Sequence, residues 1–214
     1  MTTLTETSHA GGFIVSEDDE GALSRDAITV LSGQNLVAGA VIGQIQTAAA
    51  TAVAGTNTGN GTMGAITVSA GAQSGVYTLK ITKLAANAGD FEVIDPQGDV
   101  SGIGSVAAAY STGGLAFTLA DGATDFAVGD TFAITVAAGS GKWVEHNAAN
   151  TDGSQIANGI LFAAVDATSA DKPGVAITRF AEVNGAEITW KSGISAPNKA
   201  AGIAALAAKG IIVR

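Results

Sequence analysis

Histidine is the side chain that most readily moves protons near neutral pH, and this 214-residue chain has two, His9 and His146. General-base chemistry needs a nucleophile and an orienting carboxylate within hydrogen-bond reach. No G-x-S-x-G elbow supplies the first, so His146, between Glu145 and Asn147, reads as a surface or packing residue. His9 lies in the polar run TSHAGG. Cysteine is absent, which removes thiolate nucleophiles, disulfides and cysteine-ligated metal. Asp121, Asp125 and Asp130 fall in ADGATDFAVGDTF, but the spacing departs from an EF-hand and no Glu closes it at position twelve. They read as Asx turns between strands, with calcium between loops as the alternative. Asp95 and Asp99 flank a turn in the same way. The glycine-rich stretch TGNGTMG at 58–64 lacks the G-K-[ST] ending of a phosphate loop. No carboxylate pair is set by sequence at glycosidase spacing. Trp143 and Trp190 read as core anchors, with stacking on a sugar or partner as the alternative. No catalytic, cofactor or metal site is expected, and the chain does not read as an enzyme.

The elements that would position such residues are mostly short strands. Apolar residues make up 47% of the chain and aromatics only 5%, so the core must come from Val, Ile, Leu and Ala. The 29 glycines imply many turns; they follow no three-residue period, which excludes collagen. A formal net charge of −9, with no Arg/Lys cluster, disfavours direct nucleic-acid binding. No window reaches the roughly 18 apolar residues of a membrane helix, and the N-terminus lacks the basic and apolar regions of a standard signal peptide.

Residues 1–12 read as a polar, flexible arm leading into Phe13-Ile14-Val15, an edge-strand candidate. The acidic run 17–20 reads as a solvated turn. Strands are expected at 27–31 and 41–45. Residues 47–64 read as an extended linker, followed by five or six strands, among them 66–68, 76–82, 91–94, 115–119 and 131–136. In 76–82 the alternation puts Tyr77, Leu79 and Ile81 on one face. Strands follow at 142–145, 160–165, 175–180 and 187–190, with a turn at 171–174. One helix is expected near the end: Ser195 as N-cap, Pro197 in the first turn, an apolar stripe of Ala200, Ile203, Ala204, Leu206 and Ala207, and Gly210 beyond the C-terminus. Residues 211–213 form a final strand or dock the terminus.

Three stretches carry a family resemblance: VLSGQNLVAGAVIGQI at 30–45, TDGSQIANGILFAAVDATSADKPGVAITRFAEVN at 151–184, and the end of the chain, ITW followed by AALAAKGIIVR. In order and combined extent they resemble the head decoration proteins of tailed bacteriophages, the lambda type. The resemblance implies a mainly β fold: a small β-tulip-like host domain interrupted by an immunoglobulin-like β-sandwich insert, with one short C-terminal helix. Residues 1–15 would be the N-terminal capsid-binding arm, 16–48 and 139–214 the discontinuous decoration domain, and 49–138 the insert.

The family's members trimerise on the outside of the expanded head and clamp neighbouring major capsid proteins against the pressure of packaged DNA. The resemblance therefore implies a homotrimer on the outer capsid surface, with the major capsid protein as partner. The arm residues Thr2, Thr3, Leu4, Thr5, Phe13, Ile14 and Val15 would make the contact. Neither nucleic acid nor membrane is an expected partner. The insert would point outward, towards the host surface or another virion component. The alternative function is an adhesive module that binds carbohydrate or protein through the insert.

Overall fold

The computed structural model describes residues 8–214. The fold is mainly β, with one short C-terminal helix. The chain forms two compact units, one running to Ile45 and resuming over Gly141–Arg214, the other comprising Gln46–Ser140.

The first unit opens with β1 (Ile14–Glu17), a 3-10 turn at Asp18–Gly21, β2 (Arg25–Val30), β3 (Gln34–Leu36) and β4 (Val41–Gln44). The second unit holds β5 (Thr47–Ala54), β6 (Thr62–Met63), β7 (Thr67–Val68), β8 (Gly75–Ala85), β9 (Ala88–Ile94), β10 (Val100–Ser105), β11 (Ala109–Thr112), β12 (Leu115–Ala120) and β13 (Thr131–Ala138). The chain then returns through β14 (Trp143–Glu145), β15 (Gly159–Leu161), β16 (Val165–Ala167), β17 (Lys172–Ile177), β18 (Ala181–Val183), α1 (Ala196–Ala207) and β19 (Ile211–Val213).

In the first unit, β14, β2, β17, β15 and β4 close a barrel. Closure removes the exposed sheet edges that would otherwise invite aggregation. Val30, Ile42, Trp143, Leu161 and Ala176 fill one part of the core. A second cluster, Phe13, Val41, Ile160, Ile177, Val183, Leu206 and Ile211, joins the barrel to α1 and to a three-stranded sheet ordered β1-β18-β19. Both tryptophans serve this unit's core: Trp143 lies within one cluster and Trp190 packs against the other.

Helix α1 is delimited by local chemistry. Ser195 is extended at the N-cap, its Oγ accepting from the Asn198 amide, and Pro197 sits in the first turn, where a missing donor costs little. Ala208 closes the C-terminus, and Gly210 adopts a φ of 77° two residues later. The buried face is Gly202 and Leu206, one turn apart, a narrower stripe than the alanine pattern predicts. A Cβ at position 202 would stand 2.5 Å from the Trp190 ring, so a mid-helix glycine is the condition for α1 to reach that indole.

The second unit is two sheets around one core. A five-stranded antiparallel sheet runs β10-β9-β8-β13-β5; a smaller one runs β11-β12-β6, with β7 also on β12. The alternation in β8 works as the pattern requires: Tyr77, Leu79 and Ile81 are buried. They meet Phe91, Val93, Phe132 and Ile134 of their own sheet and Tyr110, Leu115, Phe117 and Leu119 of the other. Phe91, Tyr110 and Phe117 form a ring cluster with centroids 4.8–6.0 Å apart.

Several local expectations change. The expected linker at 47–64 begins as an eight-residue strand, β5, because its alanines and threonines pair along β13. The unit has nine strands among the described residues, with β10 and β11 rich in Gly and Ser and weak in apolar alternation. The apolar run 160–165 is split between β15 and β16. Asp171-Lys172-Pro173-Gly174 is no turn: Lys172 to Gly174 lie in β17, paired with Val30 to Ile28. Residues 187–190 contribute one bridge, Thr189 to Ala40, and no strand; the strand in this region is β18.

Candidate functional site

The segment 8–17 enters the first unit through a tight turn. Gly12 N–H donates to the His9 carbonyl at 3.1 Å and Ile14 N–H to the Gly11 carbonyl at 3.0 Å. Gly11 has a φ of 68°, and a Cβ there would stand 2.7 Å from the Phe162 ring. Only glycine fits both demands. Gly11 N–H also donates to the Phe162 carbonyl at 2.8 Å, so Phe162 grips the turn from both backbone and ring. Arg25 lies over the same ring, 4.2 Å from its centroid, a cation–π contact.

Arg25 also forms an ion pair with Glu17 at the end of β1. Its Nε donates to Glu17 Oε2 at 3.0 Å, and Ser24 Oγ donates to the same oxygen at 2.6 Å. The Arg25 hydrogen bond, helped by Ser24, holds the Glu17 carboxyl below the ordinary glutamate range despite burial. The acidic run is thus more than a solvated turn: Glu17 pins the end of β1.

Of the arm residues, Thr2, Thr3, Leu4 and Thr5 lie outside the described residues. Phe13 is 2% exposed and belongs to the unit's core. Ile14 pairs with Val183 and packs against the same core. Val15 sits at a bulge between Ile14 and Ser16 and is exposed. Asn184 N–H donates to the Phe13 carbonyl at 2.8 Å. β1 is the end strand of its sheet, so its far side pairs with no described strand. Beside this root an open groove of about 500 Å³ is lined by His9, Gly12, Phe13, Glu187 and Ile188 among others.

Further exposed apolar side chains stand on neighbouring segments: Leu23, Phe180 and Ile212. The Phe180 carbonyl accepts from Asp18 N–H at 3.1 Å. Phe180 adopts a φ of 47° with its ring exposed. A bulky residue in the left-handed region carries backbone strain of order 1–3 kcal/mol, which surrounding structure must hold. Sequence pattern gave no sign of this residue; no local signal distinguishes it from an ordinary strand phenylalanine.

The residues with chemical potential have structural work. His146 is 2% exposed. Its Nε2 lies 3.0 Å from the Gln155 carbonyl oxygen, which can only accept, so Nε2 carries the hydrogen. Its Nδ1 is buried without a hydrogen-bond partner, and its ring meets Trp190 edge-on at 5.6 Å. Burial pushes the imidazole pKa below its ordinary value.

Asp130 accepts from Thr58 N–H at 2.9 Å, Gly59 N–H at 2.9 Å and Ala127 N–H at 3.0 Å. Burial alone would raise its pKa; these three bonds reverse that and leave it lowered. The glycine-rich stretch is therefore tied to a carboxylate, the opposite of a phosphate cradle. Asp95 accepts from Gln97 and Asp99 N–H, as Asx-type turns do; Asp125, expected to do the same, instead accepts from Asn87 N–H on a distant turn. Among the described residues no group of three or more His, Cys, Asp and Glu side chains is placed to hold a metal ion. Together the described residues show an anchored segment, an open strand edge and exposed apolar side chains on the same unit.

A family model described as "Bacteriophage lambda head decoration protein D" matches residues 3–211. No curated protein matches significantly. Solved structures with local likeness include FlgL of Xanthomonas campestris, at 24% identity over 46% of this chain and 33% of that one, with a TM-score of 0.33. Another is the flagellar hook junction protein FlgK from Burkholderia pseudomallei, at 20% identity over 54% of this chain and 20% of that one, with a TM-score of 0.34. The chain spans a third or less of these flagellar proteins, and at such TM-scores the likeness carries no structural argument.

Proposed function

The chain belongs to the bacteriophage lambda head decoration protein family, and on that premise we propose that it binds the expanded phage head as a homotrimer and stabilises it against internal DNA pressure. The family is a structural one, and its place is the capsid exterior. The first unit is read as the family's β-tulip and the second as an immunoglobulin-like insert facing outward. The partner is the major capsid protein.

One observation carries the attachment reading: the arm's root is built to take load. Phe13 is a core residue, the Gly11 turn is held by Phe162, and Glu17 is pinned by Arg25. A segment anchored this way transmits force from an attached residue 2–5 into the barrel and not into a loose tail. The open side of β1 offers main-chain donors and acceptors for strand addition, with Val15 exposed on that strand; Phe180 and Ile212 add exposed apolar surface on the β18–β19 side of the same sheet. Phe13 and Ile14 hold the root, leaving Thr2, Thr3, Leu4, Thr5 and Val15 to touch the capsid. Three arms per trimer would raise avidity without new contacts.

Cosedimentation with expanded, decoration-free capsids tests this. Removing residues 2–7 spares Phe13 and the Gly11 turn, so the first unit keeps its core. Saturable binding that disappears in this truncation is the expected result. Binding that survives truncation and depends on loops of the second unit would replace this reading with the adhesive-module one. Light scattering of the free protein at micromolar concentration should give the trimer mass; a monomer would count against the trimer.

A further inference from the structure

The outer face of the second unit's five-stranded sheet is unlike the rest of that unit. Register places Val100, Ile94, Thr78, Ala133 and Val53 side by side in one row across all five strands. A second row holds Val76, Thr135 and Thr51; a third holds Ile103, Glu92, Lys80 and Thr131. Val53 is 67% exposed, Val76 52%, Val100 57% and Ile103 73%. Exposed apolar side chains thus reach from one edge of the sheet to the other, interleaved with threonines and a Lys–Glu pair, and such a face is a candidate interaction surface.

Charge identifies the occupant. Residues 46–140 carry two cations, Lys80 and Lys83, against seven carboxylates, a net charge of 2 − 7 = −5. Both lysines stand on this sheet beside Glu92 and Asp90: Lys80 is opposite Glu92, and Lys83 is 3.7 Å from Asp90. The face is therefore charge-balanced, and the remaining five carboxylates lie off it. At such a face an acidic protein meets a copy of itself without net like-charge repulsion. Its rows contain no aromatic side chain for sugar stacking, and its balanced charge gives no pull on an anionic polymer.

We propose that this face pairs with the same face of a second copy. The pairing is isologous, with Thr78 on the middle strand nearest the two-fold axis. The sheets would stack about 10 Å apart. Five strands at about 4.8 Å and seven residues at about 3.3 Å give a footprint of about 24 by 23 Å. Two such faces bury on the order of 1,000 Å², at the low end for a specific interface. The association is accordingly weak in dilute solution and strengthened wherever copies are concentrated on a surface. It does not depend on the first unit's oligomeric state: trimers would pair to hexamers, monomers to dimers.

The test uses the full chain, which has no native cysteine. Under mild oxidation Thr78→Cys should form an interchain disulfide at least tenfold faster than Ser111→Cys, an exposed position on the smaller sheet. In sedimentation velocity the wild-type protein should show a concentration-dependent doubling of mass, and Thr78→Asp should weaken it at least tenfold, with tyrosine fluorescence confirming that the second unit is folded. Equal cross-linking of the two cysteine variants, together with identical sedimentation of wild type and Thr78→Asp, would overturn the pairing. So would a Thr78→Asp variant that self-associates normally but loses capsid binding, which would assign the face to the capsid.

Discussion

The two units are stabilised by different means. The first closes a barrel on a mostly aliphatic core that includes Phe13 and Trp143, and fixes its segments with ion pairs: Glu17 with Arg25 eight residues on, and Asp26 with Arg179, Glu145 with Lys191 and Glu182 with Arg214 across longer spans. The second stacks two sheets on a Phe/Tyr cluster and ties its loops with carboxylates and amides that accept from backbone N–H, chiefly Asp130, Asn57 and Asn60. Side chain-to-side chain ion pairs constrain where the segments of the first unit sit relative to one another. The second unit's side chain-to-backbone bonds also join segments far apart in sequence, residues 57–60 with 124–131, but they gather at one end of that unit and tie side chains to main chain. Spectroscopy can separate the two: both tryptophans, Trp143 and Trp190, lie in the first unit, and both tyrosines, Tyr77 and Tyr110, in the second.

The largest effect should come from the aromatic core. Phe91→Ala removes a fully buried ring that touches Tyr110 and Phe117 and should cost the second unit about 3–5 kcal/mol. In a denaturant titration the tyrosine transition should move and the tryptophan transition stay. Joint movement of both would break the picture of two independently stabilised units.

Asp130→Ala should come next. It strands three backbone N–H groups, a loss of about 2–3 kcal/mol, read in the tyrosine transition. A matching loss in Asp130→Asn would show that both acceptor oxygens are needed, since the amide keeps one oxygen and turns an NH2 towards the N–H groups the other served.

A pH series should then separate the units. His146 has a lowered pKa in the folded state, so the unfolded chain takes up a proton first as pH falls. The first unit should lose stability as pH falls below 6.5, the ordinary histidine value. It should lose more below 4.5 as Glu17, also lowered, is protonated. Asp130 is lowered from 3.8, so its contribution to the second unit is present above that value and lost only below it. Between pH 6.5 and 5 the tryptophan transition should shift and the tyrosine transition hold, and His146→Gln should flatten the tryptophan slope. A tyrosine transition that falls in that window would contradict the assignment.

The smallest effect belongs to the exposed pair Lys83–Asp90, whose side chains are well exposed. Lys83→Ala should change stability by less than about 0.5 kcal/mol; a larger loss would mean that ion pairs hold the second unit as they do the first.

Local pattern was enough to read the mainly β class, the Tyr77/Leu79/Ile81 face and the ends of α1. Each depends on residues within a few positions: alternation for the strand, Ser195, Pro197 and Gly210 for the helix. The strands of weakest pattern were illegible for the complementary reason. β5 is alanine and threonine with little alternation, and it is a strand because β13 supplies its hydrogen-bond partners. Lys172–Gly174 carries turn-like residues, yet pairs along β2.

At the candidate site, sequence marked a polar arm and Phe13-Ile14-Val15, but not how the three divide into two core-facing residues and one exposed residue. The Phe162–Arg25–Glu17 clasp was equally hidden, because Arg25 and Phe162 are 137 residues apart in sequence and meet only in the fold. Sequence by itself determined the composition of the core, the acidic charge, the absence of cysteine and the short-range periodicities. Tertiary structure alone decided which strands pair, which phenylalanine is buried and which is held strained at the surface, and which charges share a face, since those depend on contacts between residues the chain keeps far apart.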